Sequence, residues 1–233
     1  MMKIKNKFTY FTKLEWGIWI SSVILILLSF VIFDRENYMT LGASLLGVTS
    51  IMLNAKGNPL GQLLMVVFSL LYGVIFYSFS YYGEMITYLG MTMPMAVLAL
   101  ISWLRNPFEG NHAEVKVNRI SKKEVGLMWI LTVVVTGVFY FILEAFDTAN
   151  IVPSTLSVTT SFVAVYLTFR RSPYFSLAYA SNDIVLIVLW VLASMEDMTY
   201  LSVVVCFVAF LVNDVYAFVS WKKMEQRQRA KLC

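Results

Sequence analysis

Charge is what this chain has least of. Only 14% of its 233 residues are Asp, Glu, Lys or Arg, where an ordinary soluble domain has roughly 25%; 59% are hydrophobic and the mean hydropathy is +0.73. That excludes a soluble globular domain and leaves an all-α polytopic protein of the lipid bilayer. Cysteine is nearly absent: Cys206 sits in an apolar run and Cys233 at the end, with no CxxC spacing, so neither a disulfide framework nor a redox centre is expected. The one histidine, His112, stands in the polar segment NPFEGNHAEVKVNRISKKE, a solvated position, and no metal site or cofactor is expected. No GxxxxGK[ST], HExxH or GxSxG occurs, so neither an ATP-driven pump nor a familiar hydrolase has its machinery here. The chain reads as a carrier or channel rather than an enzyme. The net charge of +4 does not point to nucleic acid, because the basic residues follow membrane topology instead.

What is abundant is long apolar runs. Eight can be drawn, at 14–33, 40–56, 60–81, 84–104, 125–145, 150–169, 174–195 and 198–221, each long enough for a hydrocarbon core of about 30 Å. The basic start MMKIKNKFTYFTK resembles a signal peptide, but its apolar stretch is long and no A-x-A-like cleavage site follows, so the first span is expected to be retained. Lys and Arg fall in the N-terminal arm (Lys3, Lys5, Lys7, Lys13), the second turn (Lys56), the middle loop (Arg105, Lys116, Arg119, Lys122, Lys123), the turn after span six (Arg170, Arg171) and the tail. Only Arg35 lies on the other side, where the turns carry Asp34, Glu36, Glu84, Glu144, Asp147, Glu196 and Asp197. The positive-inside rule then predicts that both termini are cytoplasmic, in the plasma membrane.

An internal repeat is visible. GEMITYL at 83–89 recurs as MEDMTYL at 195–201, Thr49-Ser50 matches Thr160-Ser161 at an offset of 111, and both copies end in Ser-Trp, at 102–103 and 220–221. The expected organisation is an extra N-terminal span (1–39), a three-helix repeat (40–104), a cytoplasmic loop with a linking helix (105–149), a second three-helix repeat in the same orientation (150–221) and a basic tail (222–233).

One span carries an anomaly. Asn182-Asp183 lies inside PYFSLAYASNDIVLIVLWVLAS, and a carboxylate at a bilayer centre costs about 2.5–3.5 kcal/mol on insertion scales, so it survives facing a bundle interior or a wet cavity. At helical spacing Tyr179, Asn182, Asp183, Leu186 and Trp190 share a face. That stripe is expected to line a small-molecule site, the alternative being an Asp held by a neighbouring helix. The 111 offset sets Tyr72 opposite Asp183, with Ser69 on the same face. Asn213-Asp214 in span eight either joins the site through Asn213 or lies nearer the interface, beside Arg170, Arg171 or Lys222. Thr49, Asn54, Thr159 and Tyr166 are further candidates, although hydroxyls in helices also bond the i−4 carbonyl. Pro94 is expected to kink span four. Tryptophans near span ends, Trp16, Trp19, Trp103, Trp129 and Trp221, read as an interfacial belt, with Trp190 in the cavity.

GEMITYL, SNDIVLIVLW followed by an acidic turn, and NDVYAFVSW resemble the PnuC family of nicotinamide riboside transporters, over residues 40–221. The resemblance implies the 3+1+3 parallel-repeat plan shared with SWEET sugar carriers. It also implies facilitated uptake of a vitamin nucleoside, trapping by a cytosolic kinase in NAD biosynthesis, and leaves a homo-oligomer open. The family's W-x-x-W/F/Y-x-x-x-N/D pattern reads here as Ser176, Tyr179 and Asp183, without the first tryptophan, so thiamine, riboflavin or a deoxynucleoside stay open as cargo. From the side chains alone, a flat cationic ring suits Tyr179, Trp190 and Asp183. A receptor or cation channel is the different-class alternative, but a channel wants like charges at one depth, and Asp183 and Asp214 are expected at different depths.

Overall fold

The computed structural model describes residues 10–78, 82–148 and 150–232. The basic arm with Lys3, Lys5 and Lys7, the side chain of Glu84, and Cys233 lie outside the described residues. Nine α-helices follow one another among those residues: α1 Lys13–Phe33, α2 Tyr38–Ala55, α3 Pro59–Ser78, α4 Tyr82–Thr87, α5 Met93–Leu104, α6 Lys122–Ala145, α7 Ile151–Phe169, α8 Phe175–Ser194 and α9 Leu201–Leu232. Eight segments are long and apolar enough to cross a membrane, and they coincide with the eight expected runs. The protein is a multi-pass membrane protein.

Two spans depart from a plain helix. Span four is α4 and α5 joined by a π-turn, Tyr88–Thr92, in which the Met93 N–H reaches back to the Tyr88 carbonyl. Pro94, just beyond, has no N–H to give the preceding turn, and a wider i−5 turn absorbs the misfit. The expected kink is therefore a π-turn one residue ahead of the proline. Span eight does not stop at Trp221, because α9 continues to Leu232. Its extension lies on a two-stranded hairpin, β1 Pro107–Phe108 and β2 Asn111–Val115, in a loop that the sequence marked only as polar. Gln228 accepts from the Val117 N–H at 2.8 Å and donates to the Val115 carbonyl at 3.0 Å. Arg119 pairs with Glu225, Lys222 with Glu225 at 2.8 Å, Arg227 with Glu114 and Lys231 with Glu109 at 2.7 Å. The basic tail is thus a helix held by acidic partners.

α1 packs on α2 and α9 outside the remaining bundle. A capping box starts it: the Glu15 N–H donates to Thr12 Oγ1, and the Thr12 N–H donates to the Glu15 carboxylate. That same carboxylate is buried and receives Lys56 Nζ at 3.1 Å and the Tyr216 hydroxyl at 2.8 Å, tying α1 to the end of α2 and the middle of α9.

The α2–α3 and α7–α8 turns follow one pattern. Lys56-Gly57-Asn58-Pro59 and Arg170-Arg171-Ser172-Pro173 each put the second residue at positive φ, +67° at Gly57 and +57° at Arg171. The next N–H returns to the helix, Asn58 to the Leu53 carbonyl at 3.1 Å and Ser172 to the Leu167 carbonyl at 3.0 Å, a Schellman stop followed by proline. The carbonyls left over at these two helix ends are taken crosswise. Ser102 and Trp103 at the end of α5 donate to Phe169 and Thr168 of α7, while Ser220 and Trp221 of α9 donate to Ala55 and Asn54 of α2. Both indoles are fully buried. The interfacial role expected for Trp103 and Trp221 is therefore corrected: their N–H groups satisfy helix ends that lipid could not. Trp16 and Trp129 do remain exposed at span ends.

Candidate substrate site

Seven spans contribute to a cavity at mid-bundle, lined by residues of α2, α3, the π-turn region, α7, α8 and α9 and by Leu143 of α6. Lipid tails give apolar faces no reason to associate, so small residues and polar links hold these helices together. Gly47 of α2 lets the Phe210 ring of α9 rest on its backbone, where an added Cβ would lie 2.4 Å from Cζ. α2 and α3 are tied by Ser50 Oγ donating to the Gly61 carbonyl at 2.7 Å and Gln62 Nε2 donating to Asn54 Oδ1 at 2.8 Å.

The stripe on α8 does face inward. Tyr179, Asn182, Asp183, Leu186 and Trp190 all line the cavity. Asn182 Oδ1 accepts from Thr160 Oγ1 at 2.8 Å and Ser161 Oγ at 3.0 Å, which fixes the amide against α7. Asp183 is 4% exposed, and its Oδ2 has no partner. Its carboxyl faces that of Asp214 on α9, itself 3% exposed, at hydrogen-bonding range. Two carboxyls facing each other in an apolar bundle repel unless a proton or a cation lies between them.

The expectation of different depths for Asp183 and Asp214 is corrected. α8 and α9 run antiparallel, and each Asp stands about two turns in from the same face, one from Tyr174 and the other from Trp221. Of the interfacial partners offered for Asp214, Arg170 pairs with Glu124 and Lys222 with Glu225.

Other candidates separate into cavity and scaffold. Asn54 lines the cavity. Asn213 does not: its amide donates to Ser22 Oγ of α1 at 2.8 Å and to the Ala209 carbonyl at 2.7 Å, so of the Asn-Asp pair it is the Asp that reaches the cavity. Thr49 accepts from Trp19 Nε1 at 3.2 Å, on the α1 side. Thr159 meets Thr136 of α6 at 3.0 Å, and Tyr166 packs on Phe162. Ser69 donates to the Met65 carbonyl, the local bond that also serves a helical hydroxyl with no ligand. Tyr72 is buried behind the cavity wall, stacked on Tyr88 at 5.3 Å and 17°.

Several lining residues were not among the substrate-site candidates offered by the sequence. Phe68 and Phe76 come from α3, Ser154, Ser157 and Ser161 from α7, and Thr87, Tyr88 and Thr92 are turned inward around the π-turn. Phe76 and Trp190 stack at 6.3 Å and 14°, closing the cavity toward the face opposite the termini. The free space between these side chains is about 80 Å³. A larger guest requires the aromatic rings to part. The arrangement offers a flat cation two carboxyls, aromatic faces and a fixed amide. Among the described residues no group of His, Cys, Asp and Glu could hold a metal ion.

Comparison with known proteins bears on what such a cavity receives. The family model described as nicotinamide mononucleotide transporter matches residues 37–223. The nicotinamide riboside transporter PnuC of Neisseria mucosa is 25% identical over 200 residues, covering 84% of this chain and 76% of its own length. The crystal structure of the vitamin B3 transporter PnuC superposes with a TM-score of 0.80 at 24% identity, covering 94% of both chains, and so shares this fold.

Proposed function

This chain belongs to the nicotinamide mononucleotide transporter family, and from that premise we propose that it carries nicotinamide riboside across the membrane by facilitated diffusion. The observation that supports this reading above others is the Asp183–Asp214 pair, two buried carboxyls facing each other beneath Trp190 and Phe76. A cationic pyridinium ring relieves the repulsion between the carboxyls and stacks on the indole. The ribose hydroxyls then meet Asn182, Asn54 and the serines of α7. Of the sequence candidates, Tyr179, Asn182, Asp183, Trp190 and Asn54 serve as substrate residues, and Asp214 joins them.

Transport follows from alternating access. The bundle works as two parallel three-helix units, α2 to α5 and α7 to α9, linked by α6, with α1 as an addition. The crosswise Trp103 and Trp221 bonds are the contacts expected of such units. Both termini and the 105–124 loop are cytoplasmic, and a cytosolic kinase traps the imported riboside. The test is reconstitution: purified protein in liposomes equilibrates labelled nicotinamide riboside, and excess unlabelled riboside competes while uridine does not. Competition by thiamine and not by the riboside would reassign the cargo, since thiamine is also a flat cation.

A further inference from the structure

A second cavity lies beyond the Phe76–Trp190 pair, on the face opposite the termini. It measures about 180 Å³, and Phe76 and Trp190 belong to the walls of both cavities, so this one aromatic pair is the partition between them. Its outer rim carries two carboxylates from different turns, Asp34 after α1 and Asp197 after α8. Each is held in place. Asp34 Oδ1 accepts from the Asn37 side-chain amide at 2.8 Å, and Asp197 Oδ1 accepts from the N–H and hydroxyl of Thr199 at 2.9 and 2.8 Å. The Thr199 bonds hold the Asp197 carboxyl below the usual carboxylate range, so it is charged at neutral pH. None of the described residues lining the cavity is basic. Arg35, the basic residue of that turn, folds back to donate to the Val31 carbonyl at 2.7 Å. The inner wall is aromatic: Trp190 lies 5.4 Å from the Tyr200 ring. Tyr72 also lines this cavity.

Charge of one sign over aromatic walls, in a cleft with low-dielectric sides, concentrates cations of the opposite sign. We propose that this outer vestibule is a second, low-affinity site for the cationic aromatic ring of the substrate, which waits there until Phe76 and Trp190 part. The proposal rests on the cationic-nucleoside reading above. A neutral nucleoside gains nothing from Asp34 and Asp197, so the vestibule selects by charge before the inner cavity selects by shape.

Two measurements separate this proposal from the reading it rests on. The first needs no transport: Thr40, which also lines the vestibule, is replaced by cysteine in a Cys233→Ser background, Cys206 being buried. A cationic methanethiosulfonate should label Thr40→Cys about 3–10-fold faster than an anionic one, with the preference collapsing in 0.5 M salt. Asp34→Asn with Asp197→Asn, which keeps the acceptor oxygens, should abolish the preference, and 1-methylnicotinamide should slow labelling only when both carboxylates are present. Equal labelling by the two reagents, or no protection, overturns the proposal whatever the protein carries. The second is uptake of nicotinamide riboside well below saturation: the double Asn variant should be several-fold slower and lose its salt dependence, with equilibrium binding to the purified protein within twofold of wild type. An equal loss of binding would merge the two sites and overturn the proposal. Charge-selective, protected labelling of Thr40→Cys, with a wild-type protein that binds no nicotinamide riboside, would uphold the cation site and refute the cargo.

Discussion

Trp103 and Trp221 lie 5.3 Å apart between ring centroids, and each donates its indole N–H to the last turn of the helix that opens the other half, Trp103 to Thr168 at 2.9 Å and Trp221 to Asn54 at 2.7 Å. Both are completely buried. α5 and α9 are thereby latched to the ends of α7 and α2, on the face that carries the termini. Whatever rocking motion the bundle makes pivots against this contact or breaks it.

Trp103→Phe and Trp221→Phe should each destabilise the purified protein by about 1–3 kcal/mol, the cost of a buried carbonyl left without a donor. Thermal unfolding in detergent reads this directly. Comparable losses in the two variants support a matched pair of latches; a loss confined to one would show that the halves are not equivalent.

Asp183→Asn should weaken nicotinamide riboside binding by about 1–3 kcal/mol, the scale of a charge-assisted bond, and Asp214→Asn should behave alike because both carboxyls face one cavity. Removing one of two facing carboxyls relieves repulsion, so the melting temperature should hold or rise. Titration calorimetry with parallel melting curves decides. A collapse of folding without a selective binding loss would make the pair structural.

A cysteine at His112, on the exposed hairpin, should resist impermeant labelling in intact cells and react after permeabilisation, as should Cys233. Labelling from outside would invert the topology inferred from the basic residues.

With no nucleotide-binding loop in the sequence, uptake into liposomes should stop at equal concentrations inside and outside. An imposed sodium or proton gradient should change the rate little and the end point not at all. Accumulation against the concentration gradient would recast Asp183 and Asp214 as a coupling-ion site.

The contact between α9's extension and the hairpin should weaken in acid. Burial alone would raise the Glu225 carboxyl, but hydrogen bonds from Lys222 and Arg119 outweigh it and hold it below the usual carboxylate range. A depressed carboxyl contributes stability that is complete above the ordinary value of about 4.3 and lost as pH falls toward the folded value. Hydrogen exchange at the Val117 amide, which Gln228 holds, should therefore stay slow at neutral pH and speed up, beyond its intrinsic pH trend, below about pH 4. Glu225→Gln should remove that acid sensitivity.

The sequence by itself determined the number of spans, because hydrocarbon thickness fixes the length of an apolar run and a helix is the form that satisfies its own backbone within that run. It also determined which face of α8 turns inward, since Asn182 and Asp183 cannot face lipid and 3.6-residue spacing then carries Tyr179 and Trp190 with them. Tertiary structure alone decided what stands opposite. The depth of Asp214 depends on where α9 ends, and α9 ends on a hairpin whose acidic residues neutralise a tail that reads as loose basic charge. Tyr72 stands behind the cavity wall, stacked on Tyr88, because the packing of α3 against span four decides which of its residues reach the cavity. Thr87, Tyr88 and Thr92 reach the cavity through a π-turn, which depends on how the chain ahead of Pro94 repacks and not on any residue spacing. Which helices meet, and at what height, is set by contacts between residues far apart in the chain, and hydrophobic periodicity carries no information about those.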